Sequence, residues 1–423
     1  MLLYFKARNF LSFNEEISFS TVAGNYKIKN PKSNERENEL QENLIPLDNY
    51  KVNALSKSVI YGANASGKSN LLSAMGYARI FILQNFIESN SADHLKNFFY
   101  GYFNRNNQSN LEKPISVTFG VLVNGIQFEY SFSLDSNRII SETLLEYKTQ
   151  KPIEHFHRLF NVNTNDYEWS FSKYFSGQKD AVRNITNQFA LYLTVGSVSK
   201  LPICEKVFQW FFNSFIVSID FKNPGAITDE FTLTEMHKSP EVKKFVLEQL
   251  KIADFNIIDI QIRFEDGKIV ASSIHKAVDK DNKETTVTFD YFTQESIGTR
   301  RFVGWLGTIM SIISNDRVLL IDEFGVSMHS LLTKHLLHAI NWQSPITGKK
   351  SNAQLIFTTH ETNLLTRELF RPDQIWIMEK DGIGNSNLYS LSQFKALKGL
   401  NLESGYLQGL YGGIPHFKNK DNE

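Results

Sequence analysis

Apolar residues recur along the chain with two periods, and each change of period marks a change of element. Leu3, Phe5 and Ala7 alternate with polar neighbours, and Ile17, Phe19 and Thr21 do so again after Asn14-Glu15-Glu16, so residues 2–22 are predicted to form two strands around a turn. From Gly24 to about Lys51 the chain is polar, with little to bury between Asn30 and Glu39, and a long loop is expected. Lys57–Tyr61 predicts a short buried strand, and Ser69–Met75 continues at a helical spacing that persists to Asn97. Alternation returns from Ile115 to Phe132 in two runs split by Asn124-Gly125, a strong hairpin signal, and strands are expected through Ile139–Tyr147 and on to Phe160. Between about Trp169 and Ile262 the period is helical, as at Val207, Trp210, Phe211 and Phe215 and then Val242, Phe245, Val246 and Leu250. Strands are predicted again at Ile262–Ala271 and Thr285–Phe292, joined by the charged turn Asp279–Glu284, before an apolar helix over Phe302–Ile313.

This order of elements predicts an α/β fold in three parts: residues 1–165, an inserted, mainly helical subdomain at 166–262, and residues 263–423. No sustained heptads mark a long coiled coil. Composition narrows the function classes little. Lys+Arg and Asp+Glu balance at 45 each, so no overall field favours nucleic acid or an anionic membrane. The single cysteine, Cys204, cannot form an internal disulfide or a thiolate metal site, which fits a reducing compartment. Lys6 and Arg8 interrupt the first apolar residues before a signal segment could form, and Phe302–Ile313 is too short to span a bilayer. A soluble, cytoplasmic protein with no membrane partner is expected.

The chemistry concentrates in a few stretches. Gly62-Ala63-Asn64-Ala65-Ser66-Gly67-Lys68-Ser69 carries the phosphate-binding pattern G-x-x-x-x-G-K-[ST] between a predicted strand and a predicted helix. A loop of Gly, Ala and Ser lets backbone N–H groups approach phosphates, and the helix N-terminus adds positive potential. Lys68 would neutralise the outer phosphates and Ser69 would ligate Mg²⁺, so ATP and Mg²⁺ are the expected cofactors. Val318-Leu-Leu-Ile-Asp-Glu323 reads as a buried parallel strand delivering two acids at its C-terminal end, where ligands of open α/β sheets bind. There Asp322 would hold Mg²⁺, directly or through water, and Glu323 would orient or deprotonate the attacking water. Leu355-Ile-Phe-Thr-Thr-His360 is a second apolar strand, and it would place His360 beside a γ-phosphate. Ser296, in Gln294-Glu-Ser-Ile-Gly-Thr-Arg300, is a candidate N-cap of the apolar helix; with Gly298 and the helix N-terminus it could form an anion site, although capping is the simpler account.

In this order the motifs resemble those of the ABC-type ATPases of the RecF and SMC kind. The resemblance extends to Phe5-Lys-Ala-Arg-Asn-Phe-Leu-Ser-Phe13, which includes Arg8, and to Asn64 and Asn70 around the loop. Within that group the chain looks most similar to the compact ATPases of bacterial phage-defence and restriction-linked loci, the AbiL and RloA types and their relatives in the OLD and PARIS systems. Asp373–Lys380, Leu388–Phe394 and Tyr406–Pro415 resemble that group's ending. The likeness covers about 1–150 and 285–418 and implies an ABC-ATPase head, a P-loop sheet with an antiparallel β lobe. It also implies a head-to-tail dimer, or a higher oligomer, in which Ser296 and Gly298 of one subunit complete the ATP site of the other, with Gly62, Asn64, Ser66, Gly67, Lys68, Ser69, Asn70 and Arg8 on the nucleotide. The sequence departs from the group at three points: Glu295-Ser-Ile-Gly-Thr is a loose L-S-G-G-Q signature, Gln127 is only a weak candidate for the Q-loop glutamine, and Gly325 replaces the commoner acidic residue after Glu323.

Three functions compete. The favoured one is an ATP-hydrolysing sensor that controls a separate effector, plausibly a Toprim-like nuclease, in response to a nucleic-acid or phage-encoded trigger. A RecF-like ATPase that clamps DNA and a nucleotide-gated scaffold with negligible turnover are the alternatives. His155 and His157 lack a third ligand and are expected at the surface, and Asp279 and Asp281 are expected to be solvated.

Overall fold

The computed structural model describes the chain except residues 25–39, 48, 89–91, 150, 219–228, 254, 327, 395–400 and 416–423. The expected loop at Gly24–Lys51 therefore lies mostly outside the described residues. The part that is described holds β3 (Leu44–Leu47), which pairs antiparallel with β4 (Val52–Leu55).

A six-stranded sheet organises the fold, in the order β11 (Phe215–Ser218), β15 (Val318–Ile321), β16 (Gln354–Thr358), β5 (Lys57–Gly62), β17 (Ile375–Lys380) and β18 (Ser386–Ser390). The first five strands run parallel and β18 returns antiparallel. Both faces of its central strands β5, β15, β16 and β17 are buried, which is why their sequences carry unbroken apolar runs instead of alternating ones. Ile60, Val318, Leu320, Ile356, Trp376 and Met378 face the helix Lys68–Glu88 and a seven-stranded antiparallel sheet beyond it. Their neighbours Val59, Tyr61, Leu319, Ile321, Leu355, Phe357 and Ile377 face the helices Asp229–Lys238, Pro240–Ile252, Ile297–Ser314 and Ser330–Ala339.

The antiparallel sheet has the order β10 (Asp166–Phe171), β9 (Ile153–Asn161), β8 (Ile139–Tyr147), β7 (Ile126–Leu134), β6 (Ile115–Val123), β1 (Leu2–Arg8), β2 (Ile17–Ser20). Asn124 and Gly125 take φ of 51° and 75° at the β6–β7 turn, the left-handed pair that an Asn-Gly hairpin requires. The expected α/β fold, a parallel P-loop sheet with an antiparallel β lobe, is what these two sheets make.

Four features differ from the expectations. Within 166–262, helices Lys179–Ile185, Tyr192–Val198, Pro202–Asn213, Asp229–Lys238 and Pro240–Ile252 follow the helical period, but β11 lies among them and joins the edge of the parallel sheet beside β15. The predicted strand Ile262–Ala271 is instead a hairpin of β12 (Ile257–Glu265) and β13 (Lys268–Val278), turning at Asp266-Gly267 with φ of 50° and 75°. With β14 (Glu284–Asp290) they form a small sheet of their own, and Asp279 and Asp281 sit in its exposed turn. His155 is not at the surface: it is 3% exposed, with Nε2 2.9 Å from Glu146 Oε2, because the β8–β9 register shifts beside it and Phe175 packs against its ring. His157 is half-buried, with Nδ1 2.8 Å from Thr143 Oγ1. Among the described residues no helix is long and apolar enough to cross a membrane.

At the end of β5 opposite the glycine loop, Lys57 is fully buried. Its ammonium donates to Leu337 O at 2.9 Å, near the C-terminus of the helix Ser330–Ala339, and burial lowers its pKa to about 7 despite the charge of Glu42. Between pH 7 and about 10 the unfolded chain holds this proton and the folded chain does not, so stability rises with pH across that window. Lys57→Met is expected to stabilise the fold by about 2–4 kcal/mol below pH 7 and by less at pH 9. Thermal unfolding at the two pH values checks this, and a destabilised variant at pH 6 would contradict it.

Candidate active site at the C-terminal edge of the parallel sheet

β5 ends at Gly62, and the loop 63–67 returns the chain into the helix that begins at Lys68. Two glycines make the loop possible. A Cβ on Gly62 would lie 2.4 Å from Met378 O, and one on Gly67, whose φ is 108°, would lie 2.1 Å from Ser386 Oγ and 2.9 Å from Ser12 Oγ. Ser386, the first residue of β18, donates through Oγ to Ser66 O at 2.6 Å and shares a second hydrogen bond with Ser12 Oγ at 2.7 Å, in which Ser12 supplies the proton, and Asn70 Nδ2 donates to the same Ser12 Oγ at 2.8 Å. The loop is thus gripped from outside by Ser12 and Ser386, which come from opposite ends of the chain.

Lys68 Nζ donates to Gly62 O at 2.9 Å and Ala63 O at 3.0 Å across its own loop. Burial pushes its pKa down to about 8, against the opposing pull of Asp322 and Glu323. Asn64 is exposed, Ser69 is half-buried, and Ser66 is buried with its Oγ lacking a hydrogen-bond partner. Arg8, at the end of β1, is exposed and paired with Glu15 at 3.5 Å, so it does not bond to the loop itself.

Asp322 and Glu323 follow β15 directly, beside the end of β16. Glu323 has a φ of 56°, a left-handed conformation that costs a residue with a side chain about 1–2 kcal/mol. Bonds from β16 hold it there. Glu323 N donates to Thr358 Oγ1 at 2.8 Å, Thr358 Oγ1 donates to Asp322 Oδ1 at 2.5 Å, and Phe324 N donates to Thr358 O at 2.9 Å. His360, two residues after β16, reaches solvent along one side; partial burial of its ring and the charge of Lys68 lower its pKa, while Glu323 and Asp322 oppose the shift. Lys68, Asp322, Glu323 and His360 are therefore close enough to act on one another, although they come from three strand ends spread over some 300 residues of chain.

Gly325, the departure from the expected acidic residue, has a structural reason. Its φ is 93°, and a Cβ there would lie 2.6 Å from Glu361 Oε1. The Glu361 carboxyl takes up that space, with Oε2 buried and without a partner, and burial raises its pKa against the charge of His329. Gly325→Ala is expected to displace this loop and to lower turnover at least tenfold, whereas Gly348→Ala, which has no atom within 4 Å of the added Cβ, should change turnover little. Steady-state rates of the two variants check the difference.

Ser296 and Gly298 make no hydrogen bond to this cluster among the described residues, although their helix reaches the acidic turn through Arg301, which donates to Val326 O at 2.9 Å, and Trp305, which packs on Phe324. Ser296 caps its own helix, accepting from Thr299 N at 3.1 Å, and that helix packs on the sheet face opposite the one covered by Lys68–Glu88. Gln127 lies beside the Asn124-Gly125 hairpin, at the end of the antiparallel sheet paired with Leu2 and away from the Ser12 loop, so it does not supply a glutamine to the site. The residues that pattern reading missed here are Ser12, Thr358, Thr359 and Ser386. Thr358 and Thr359 stood in the Thr-Thr-His stretch as strand-ending polar residues, which gave a signal; Ser386 gave none.

Phosphate and a hard divalent cation fit this donor set. The cradle admits no Cβ at Gly67, the buried Ser66 hydroxyl is unspent, and Lys68 supplies the charge. Asp322 retains one oxygen that Thr358 does not take, and Ser69 a half-buried hydroxyl, for an ion that prefers oxygen ligands. A family model described as "AAA domain, putative AbiEii toxin, Type IV TA system" matches residues 57–208 and 228–366. Among solved structures, the SMC head domain from Thermotoga maritima aligns with a TM-score of 0.38 at 11% identity, covering 92% of this chain and 98% of that one. No curated protein matches the chain.

Proposed function

Because the chain belongs to the AAA-domain family of that model, we propose that it binds ATP with Mg²⁺ and hydrolyses it to ADP and phosphate at the cluster of Lys68, Asp322, Glu323 and His360. One observation carries the reading: a glycine-built loop, a lysine, two carboxylates and an imidazole converge at the C-terminal edge of one parallel sheet, where burial lowers the pKa of Lys68 and His360 against the charges of Asp322 and Glu323. Lys68 and the loop's backbone amides hold the phosphates, and Ser69 and Asp322 hold Mg²⁺, which when bound neutralises charge on the phosphate oxygens. Glu323 orients a water and accepts its proton. His360, whose lowered pKa keeps the imidazole neutral, hydrogen-bonds the terminal phosphate.

The placement of Ser296 and Gly298 across the sheet supports assembly. With Ser296 bonded only within its own helix cap, the two residues serve the ATP of a second copy, in a head-to-tail dimer that closes on nucleotide. ATP-driven closure then signals to a separate effector, a nuclease of the Toprim kind, in defence against phage. The toxin named in the family description supports that setting. Light scattering tests the assembly. Glu323→Gln with Mg²⁺ and ATP is expected to double in molar mass and the Ser296→Arg form of it to remain a monomer. A mass unchanged by ATP would sink the dimer.

A further inference from the structure

We infer that Thr358 is a positioning residue of the ATPase site, whose single hydroxyl sets the metal-facing acid and the water-facing acid at the same time. The inference rests on the function proposed above. Thr358 is the last residue of β16, fully buried, and lies opposite Ile60 of the strand that leads into the glycine loop. A hydroxyl has one proton to give and lone pairs to receive with. Here the proton goes to Asp322 Oδ1 at 2.5 Å and the oxygen receives Glu323 N–H at 2.8 Å.

Two consequences follow from that direction of bonding. The bond to Oδ1 fixes the rotation of the Asp322 carboxyl and leaves Oδ2 as the oxygen available to a cation. The bond from Glu323 N holds the backbone of Glu323 at its φ of 56°, which aims the side chain. Thr359 completes the grip from the next position: its Oγ1 donates to Phe324 O at 3.1 Å and accepts from Glu361 N at 3.2 Å. The left-handed turn 322–324 thus takes its side-chain hydrogen bonds from Thr358 and Thr359, while the buried Phe324 ring packs on Trp305 and Phe357. It is held by the end of β16, and the segment that carries His360 leaves from the same residues. A shift of Thr358 would therefore move the acids and the imidazole together.

Thr358→Val keeps the shape and removes the hydroxyl. It leaves Glu323 N–H buried without an acceptor and Asp322 free to rotate. Measured on the full chain, Thr358→Val is expected to lower kcat about a hundredfold and to raise the Mg²⁺ concentration for half-maximal rate about tenfold. ATP affinity should stay within about threefold, because Lys68 and the loop are untouched. Thr358→Ser, which restores the hydroxyl, should return kcat to within about fivefold of the parent. If Thr358→Val does not fold, Thr358→Ala, which lacks the hydroxyl but crowds nothing, carries the same expectation. A Thr358→Val or Thr358→Ala protein with parental kcat and Mg²⁺ dependence, beside an inactive Glu323→Gln protein, would overturn the inference and leave the ATPase standing. A fully active Glu323→Gln protein would overturn the ATPase and the inference with it.

Discussion

Glu323→Gln is expected to lower ATP turnover by about 10²–10⁴-fold while leaving ATP binding within a few-fold of the parent. The substitution preserves size and hydrogen-bonding capacity and removes only the ability to take a proton. The backbone of Glu323 is held by Thr358 and not by its own carboxylate, so the turn keeps its shape when the charge is lost. Charges on Glu323 and Asp322 both raise the proton affinity of Lys68, so removing one also leaves the lysine slightly easier to deprotonate, an effect small beside the loss of the base. Single-turnover and steady-state rates with equilibrium binding separate the two. Turnover unchanged in the variant would remove Glu323 from the chemistry.

Gly67→Ala is expected to abolish nucleotide binding, a loss of at least a hundredfold in affinity. The added Cβ would meet Ser386 Oγ at 2.1 Å, and neither that hydroxyl nor Ser12 Oγ can retreat cheaply, because Ser386 already bonds both Ser66 O and Ser12 Oγ. The φ of 108° adds strain that alanine cannot relieve in place. The loop must open, and its amides then no longer converge. The control is Gly101→Ala, near the end of the helix Ala92–Tyr102, where the added Cβ has no neighbour within 4 Å and the change should be neutral or slightly stabilising. Titration with a fluorescent ATP analogue distinguishes them, and undiminished affinity in Gly67→Ala would contradict the loop's assigned role.

The sheet that carries the site was legible because burial on both faces leaves a plain mark. Val59-Ile60-Tyr61, Val318–Ile321 and Leu355–Phe357 are apolar without alternation, and they run directly into Gly62 of the glycine loop, Asp322 and Thr358. What was hidden depends on contacts that pattern cannot encode. β11 is four residues long and begins at Phe215, which also continues the helical period of Val207, Trp210 and Phe211, so its pairing with β15 is decided by tertiary packing. The β12–β13 hairpin did carry its Asp266-Gly267 signal, but Phe264 and Ile269 on either side let it pass for one strand. His155 is buried because a register shift and Phe175 enclose it, and neither shows in two histidines spaced by two. In the site itself, Lys68, Asp322, Glu323 and His360 declare their chemistry by residue type. Ser12, Thr358 and Ser386 act only through bonds to other residues, and Ser12 and Ser386 meet across nearly the whole length of the chain.

On the function proposed, the glycine loop and the acidic turn form one ATP-hydrolysing site. The most direct test is the rate of phosphate release from Mg²⁺-ATP by the full chain, measured beside ATP binding, for the parent and for Lys68→Ala. A saturable release in the parent, with both release and binding lost in Lys68→Ala, is the predicted result. A parent that binds ATP and releases no phosphate, or a Lys68→Ala protein that keeps both binding and release, would contradict it.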